Sequence, residues 1–109
     1  MEDTVKYLVE ALGTFFFLSV IMAIGNKNNT GLGNLAPVSV AVALLAAVFF
    51  GGYVSGGHFN PAVTVAMILR NRISQDLAVG YIMSQLVGAV LAAKVSGVLE
   101  SGSLAAMSM

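Results

Sequence analysis

The sequence predicts an all-α membrane protein with three transmembrane helices and one re-entrant half-helix. Three observations predict it. Of 109 residues, 58% are hydrophobic and 9% charged, with a mean hydropathy of +0.91, whereas a soluble domain carries about a quarter charged residues. Three apolar runs are each about 20 residues long, enough to cross a ~30 Å hydrocarbon core. Between the second and third runs lies an apolar helical segment of half that length.

The first run is Tyr7 to Gly25 (YLVEALGTFFFLSVIMAIG). The leading MEDTVK sets Glu2 and Asp3 against Lys6, so it lacks the basic front of a signal peptide, and the run reads as a retained helix. A polar loop, Asn26 to Asn34, follows, rich in the Asn and Gly that punctuate helices. Its Asn28-Asn29-Thr30 is a formal glycosylation sequon, too close to the bilayer to be of use. The second run, Leu35 to Val54, carries Pro37 in its first turn, where a missing N–H costs nothing. Ala41, Ala43, Ala46 and Ala47 permit close helix contact. The third run, Leu77 to Leu99, can be capped by Ser74 or Asp76. It contains Gln85, which can bridge helices or meet a solute, and a small-residue packing face at Gly88 and Ala92. The tail Ser101 to Met109 is too short to fold alone. The Phe15-Phe16-Phe17 run and the methionines read as lipid-facing or packing groups.

The remaining segment, residues 55–70, fits neither loop nor span. Asn60 is placed to cap a helix with Pro61 at its first position, running to Arg70 (NPAVTVAMILR). Its 11 residues rise about 15 Å, half the hydrocarbon thickness. Arg70 and Arg72 then return the chain to the interface. Such a helix puts its N-terminal end, with unbonded N–H groups and roughly half a positive charge, near the bilayer midplane. That end repels cations and attracts the oxygen of a neutral solute. The Asn60 amide can donate to a passing hydroxyl. Gly56 and Gly57 leave the carbonyls of Gly56 to His58 free to line a narrow path in extended form.

Several function classes are excluded by composition. Zero formal net charge lacks the basic surplus of a nucleic-acid binder, and the absence of cysteine removes disulfides and thiolate chemistry. A single His58 makes no histidine cluster. The expectation is a passive, cofactor-free protein with no resident metal that is not an enzyme.

Ser55 to Ala66 (SGGHFNPAVTVA) resembles the first signature loop of the aquaporin and glycerol-facilitator family. Glu10-x-x-Gly13-Thr14 resembles that family's opening helix, and Tyr81 through Gly88 with Gln85 resembles its third. The resemblance covers nearly the whole chain, residues 1–109, as one half-aquaporin-like domain of an inverted-repeat bundle. It implies that Asn60, Pro61 and Ala62 form a pore constriction and that Gly56, Gly57 and His58 present pore-lining carbonyls. It implies that Glu10 buttresses the loop, although the residue sits near enough to the interface to snorkel instead. His58 is expected to act through its backbone more than its ring. Counting back from Asn60, Val40 falls where the family's second helix gives a bulky residue to the selectivity filter, which implies a wider filter here.

Family members have two inverted halves, and this chain carries the pattern of the first only. Val63 stands where the second half would place the filter arginine. Non-helical backbone at membrane depth is tolerated only when buried in protein or lining a watery cavity, so a partner must cover the loop. That partner is a second copy inserted oppositely, in an inverted homo-oligomeric pair that can assemble further, or a complementary half-channel chain. A family-like orientation puts Lys6, Arg70 and Arg72 inside against Lys27 and Lys94 outside, a weak bias that permits both insertions. The function implied is a passive channel for water and small neutral solutes such as glycerol, in contact with membrane lipid and with no nucleic acid. The alternatives are a non-conducting chain that modulates full-length relatives, with Gly88 and Ala92 serving assembly only, or a fragment of a two-half channel.

Overall fold

The computed structural model describes residues 2–26 and 35–100. The Asn28 sequon, Lys27, most of the polar loop and the tail after Glu100 lie outside the described residues. Four helices make up nearly all the rest: α1 (Glu2–Asn26), α2 (Ala36–Ser55), α3 (Pro61–Leu69) and α4 (Gln75–Glu100). Residues 3–25, 36–55 and 75–99 are long and apolar enough to cross a membrane.

Each boundary has a local cause. Helix α1 begins five residues before the apolar run, with Asp3 in its first turn, where the positive end of the helix dipole favours acids. Helix α2 carries proline in its first turn and ends at Gly56, whose left-handed φ of 92° lets its N–H bond the Gly52 carbonyl at 2.7 Å. In α3 the Asn60 backbone is extended, and its Oδ1 accepts from the Ala62 N–H at 2.8 Å. That helix stops at Arg70, and Asn71 then turns left-handed (φ 57°), a conformation asparagine tolerates better than most. Ser74 caps α4, its Oγ accepting from the Leu77 N–H at 3.3 Å. Ser74→Ala should therefore lower stability in mixed micelles by about 1 kcal/mol, as read from reversible unfolding, while Asp76→Asn should cost less.

Helix α1 packs between α2 and α4, and α3 packs on α4; α2 reaches α4 at its last residue, Ser55, which bonds Tyr81. Close contacts fix the register. A Cβ at Gly80 would strike the Tyr7 ring, and one at Gly88 would lie 2.4 Å from the Ala11 carbonyl oxygen. Both sequences rise together, so α1 and α4 run parallel. Lys6 and the Arg70–Arg72 turn therefore share one end of the bundle, with Lys94 towards the other. Ala92 is fully buried. The Gly88 face is thus spent on α1 of the same chain, as a packing face would be; with the Ala11 backbone so near, no second chain can reach it, which counts against the assembly-only use of Gly88 in the non-conducting alternative.

The outward surface is apolar. Phe49 and Phe50 are each 73% exposed and Tyr53 85%, a pattern suited to lipid or another membrane-embedded chain and unsuited to water.

Candidate functional site

The segment between α2 and α3 is only five residues long, yet every one of its residues makes a hydrogen bond. Three of those residues have positive φ: Gly56 (92°), Gly57 (67°) and Phe59 (53°). The extended path expected for Gly56 to His58 is therefore replaced by a tightly coiled one at the glycines, because the C-cap of α2 must reverse the chain within two residues. At Gly57 a side chain would face both this φ and the Gly52 Cα, 3.2 Å from an added Cβ.

Glu10 organises the loop. It is fully buried, and both carboxylate oxygens accept two bonds. Oε2 accepts from the Ser55 hydroxyl at 2.7 Å and the His58 N–H at 3.1 Å. Oε1 accepts from the Phe59 N–H at 2.8 Å and from Gln85 Nε2 at 2.8 Å. Four donors from three segments thus converge on one side chain, satisfying backbone groups that would otherwise be orphaned at low dielectric. Glu10 does not snorkel.

Phe59 supplies the apolar counterpart. It is 2% exposed, and its ring lies against Gly13 and Gly51: an added Cβ would come within 2.1 Å and 3.0 Å of it. The glycine at 13, one turn past Glu10 on the same face, makes the socket for this ring. The bordering groove between α1 and α2 is lined only by apolar residues, including Leu12, Phe16 and Ala47.

A second polar cluster ties the loop to α4. Gln85 Nε2 also donates to Thr64 Oγ1 at 2.9 Å, and Thr64 Oγ1 lies 2.8 Å from His58 Nδ1. Tyr81 donates its hydroxyl to the Ser55 carbonyl, and its ring stands edge-on to the His58 imidazole with centroids 5.0 Å apart. Gln85, Thr64 and Glu10 are all fully buried. Gln85 lies ten residues into α4, about 15 Å along its axis, so the start of α3 sits about half a bilayer from the end that carries Arg70.

The sequence-derived residues are distributed unevenly. Glu10, Gly57 and His58 join the hydrogen-bonded cluster. Gly56 is exposed beside it. Asn60 is exposed at the head of α3, its Oδ1 committed to the cap and its NH2 without a partner among the described residues. Pro61 and Ala62 form the first turn behind it. Val40 is half-buried in α2, and Val63 is half-buried in α3; neither belongs to the cluster. Phe59 and Thr64 were not expected. The glycines at 13 and 51 are the signal for the first. For the second, the signal is a hydroxyl one turn after Asn60 in an otherwise apolar helix. Among the described residues no three His, Cys, Asp or Glu side chains gather as a metal site would require.

A family model described as Major intrinsic protein matches residues 1–108. The chain is 44% identical over 92 residues to a protein named Glycerol uptake facilitator protein-like 6 from Lactiplantibacillus plantarum, covering 80% of this chain and 40% of that protein. It is 38% identical over 104 residues to Aquaporin Z from Photorhabdus laumondii, covering 89% and 44%. With Probable aquaporin PIP2-8 from Oryza sativa it shares 39% over 89 residues, covering 78% and 32%. The chain spans less than half the length of these curated relatives.

Proposed function

The chain belongs to the major intrinsic protein family and is an integral, multi-pass membrane protein, and from that premise we propose that it forms one half of a passive channel for water and small neutral solutes such as glycerol. The observation that carries this reading is the head of α3. A helix N-terminus with a free Asn60 amide sits about half a bilayer deep, where it can donate to a solute oxygen while its dipole opposes cations.

Asn60, Pro61 and Ala62 form the constriction, and the carbonyls of Gly56, Gly57 and His58 offer acceptors on the approach. Glu10 buttresses the loop. Val40 sets the width of the filter, and Val63 replaces the arginine that would narrow it. The channel is completed by a second half, either another copy inserted oppositely or a complementary half-channel chain, so that two half-helices meet head to head. The need for cover is physical: polar backbone facing lipid costs several kcal/mol per group, and inverted repeats solve this in many transport proteins. Solutes move down their gradient with no chemical step and no cofactor.

The test is osmotic shrinkage of liposomes containing the chain, alone and with an opposite-half partner. Shrinkage well above protein-free liposomes is expected in at least one case. Asn60→Asp should raise cation leak about tenfold or more, equivalent to ~1.4 kcal/mol of barrier. Shrinkage at the bare-lipid rate in both preparations would favour the non-conducting modulator.

A further inference from the structure

The cluster beyond Glu10 fixes a proton position that the channel reading does not use. The Glu10 carboxylate accepts from the Ser55 hydroxyl and from the His58 and Phe59 amides, and a carboxylate offers acceptors only, so the group of Gln85 facing it is the NH2. The other hydrogen of that NH2 goes to Thr64 Oγ1, 2.9 Å away. Having accepted from Gln85, the Thr64 hydroxyl has one hydrogen and two candidate acceptors. The Asn60 carbonyl is 3.4 Å away and already receives the Thr64 N–H, whereas His58 Nδ1 is 2.8 Å away. The short contact is the better bond. Thr64 therefore donates to His58 Nδ1, which must then be bare, and the ring proton resides on Nε2.

We infer that Gln85 and Thr64 are positioning residues that lock His58 as its Nε2–H tautomer, giving the conduit a second side-chain donor for a solute oxygen. Nε2 has no partner among the described residues. It lies beside the exposed Gly56, where an added Cβ would be 3.6 Å away. The Tyr81 ring braces the imidazole from the side. A solute passing Gly56 would meet this N–H before reaching the Asn60 amide. The role in conduction rests on the channel reading; the tautomer does not.

His58 is the sole histidine of the sequence, so histidine labelled with nitrogen-15 gives one imidazole spectrum from the full chain in phosphatidylcholine bilayers. At mildly alkaline pH, solid-state NMR should show a directly bonded proton on Nε2 and a bare, hydrogen-bonded Nδ1. Thr64→Val should shift the tautomer ratio about fivefold to tenfold towards Nδ1–H, the net worth of one neutral hydrogen bond, and Thr64→Ser should restore it. Added glycerol should move the Nε2 resonance and leave Nδ1 in place. A proton on Nδ1 in the unmodified chain, a ratio unmoved by Thr64→Val, or an Nε2 resonance indifferent to glycerol would overturn the inference. An Nε2–H spectrum from liposomes that do not conduct would instead count against the channel reading alone.

Discussion

Glu10→Leu is expected to destroy the ordered segment between α2 and α3. The substitution removes one acceptor group: it strands the His58 and Phe59 amides and one hydrogen of the Gln85 NH2, and leaves the Ser55 hydroxyl only the Gly51 carbonyl at 3.5 Å. A buried donor left unpaired costs about 1–3 kcal/mol. Partial relaxation will recover some of this, so a net loss of at least about 3 kcal/mol is expected. Amide hydrogen exchange at His58 and Phe59 should quicken by roughly a hundredfold, since exchange tracks the free energy of local opening. Glu10→Gln should be milder: its carbonyl still serves two donors, and the Ser55 hydroxyl can turn to accept from the new NH2. Only one backbone N–H then faces a donor. Exchange rates equal to those of the parent protein in Glu10→Leu would show that the carboxylate does not hold the loop.

Apolar run length and composition were enough to give three spans and one shorter helix, because a chain this apolar has few alternatives to spanning a bilayer. The early start of α1 was missed because Glu2 and Asp3 look like a polar leader, although acids are favoured at a helix start. Asn60 and Pro61 were legible for a local reason: cap geometry depends on adjacent residues. The role of Glu10 in the loop was suggested only by family resemblance, since a partner 45 residues or more away leaves no trace in local pattern. Phe59 was illegible because its left-handed backbone is unusual for an aromatic residue and its socket comes from glycines on two other segments. The glycine path failed for a related reason. Carbonyls free to line a conduit do not require extended backbone, and the cap of α2 selects the left-handed form.

The Gly88 face gives the second large effect. Gly88→Val places a Cβ 2.4 Å from the Ala11 carbonyl oxygen and 3.1 Å from the Phe15 nitrogen, both backbone atoms that cannot rotate away. Helices α1 and α4 must separate, at an overpacking cost of about 1–3 kcal/mol or more. The separation would also lengthen the Gln85–Glu10 bond on the same interface, so the variant should lose loop order as well as stability. Gly97 has open space where a Cβ would go, and Gly97→Ala should leave stability unchanged or raise it by up to about 1 kcal/mol. Reversible unfolding in mixed micelles separates the two. Equal stabilities would mean that the close α1–α4 crossing is absent in the bilayer.

The claim beneath both predictions is that α3 starts within the membrane and leaves by the face through which the chain entered. The sequence has no cysteine, so single cysteines can be placed at Lys6, Ala62 and Asn71 in otherwise native chains. Sealed vesicles sorted by insertion direction are then treated with a bulky, membrane-impermeant maleimide from one side at a time. Within each insertion direction, Lys6→Cys and Asn71→Cys should be labelled from the same side and Ala62→Cys from neither. Labelling of Lys6→Cys and Asn71→Cys from opposite sides, or of Ala62→Cys as readily as Asn71→Cys, would contradict the re-entrant segment and the channel half built on it.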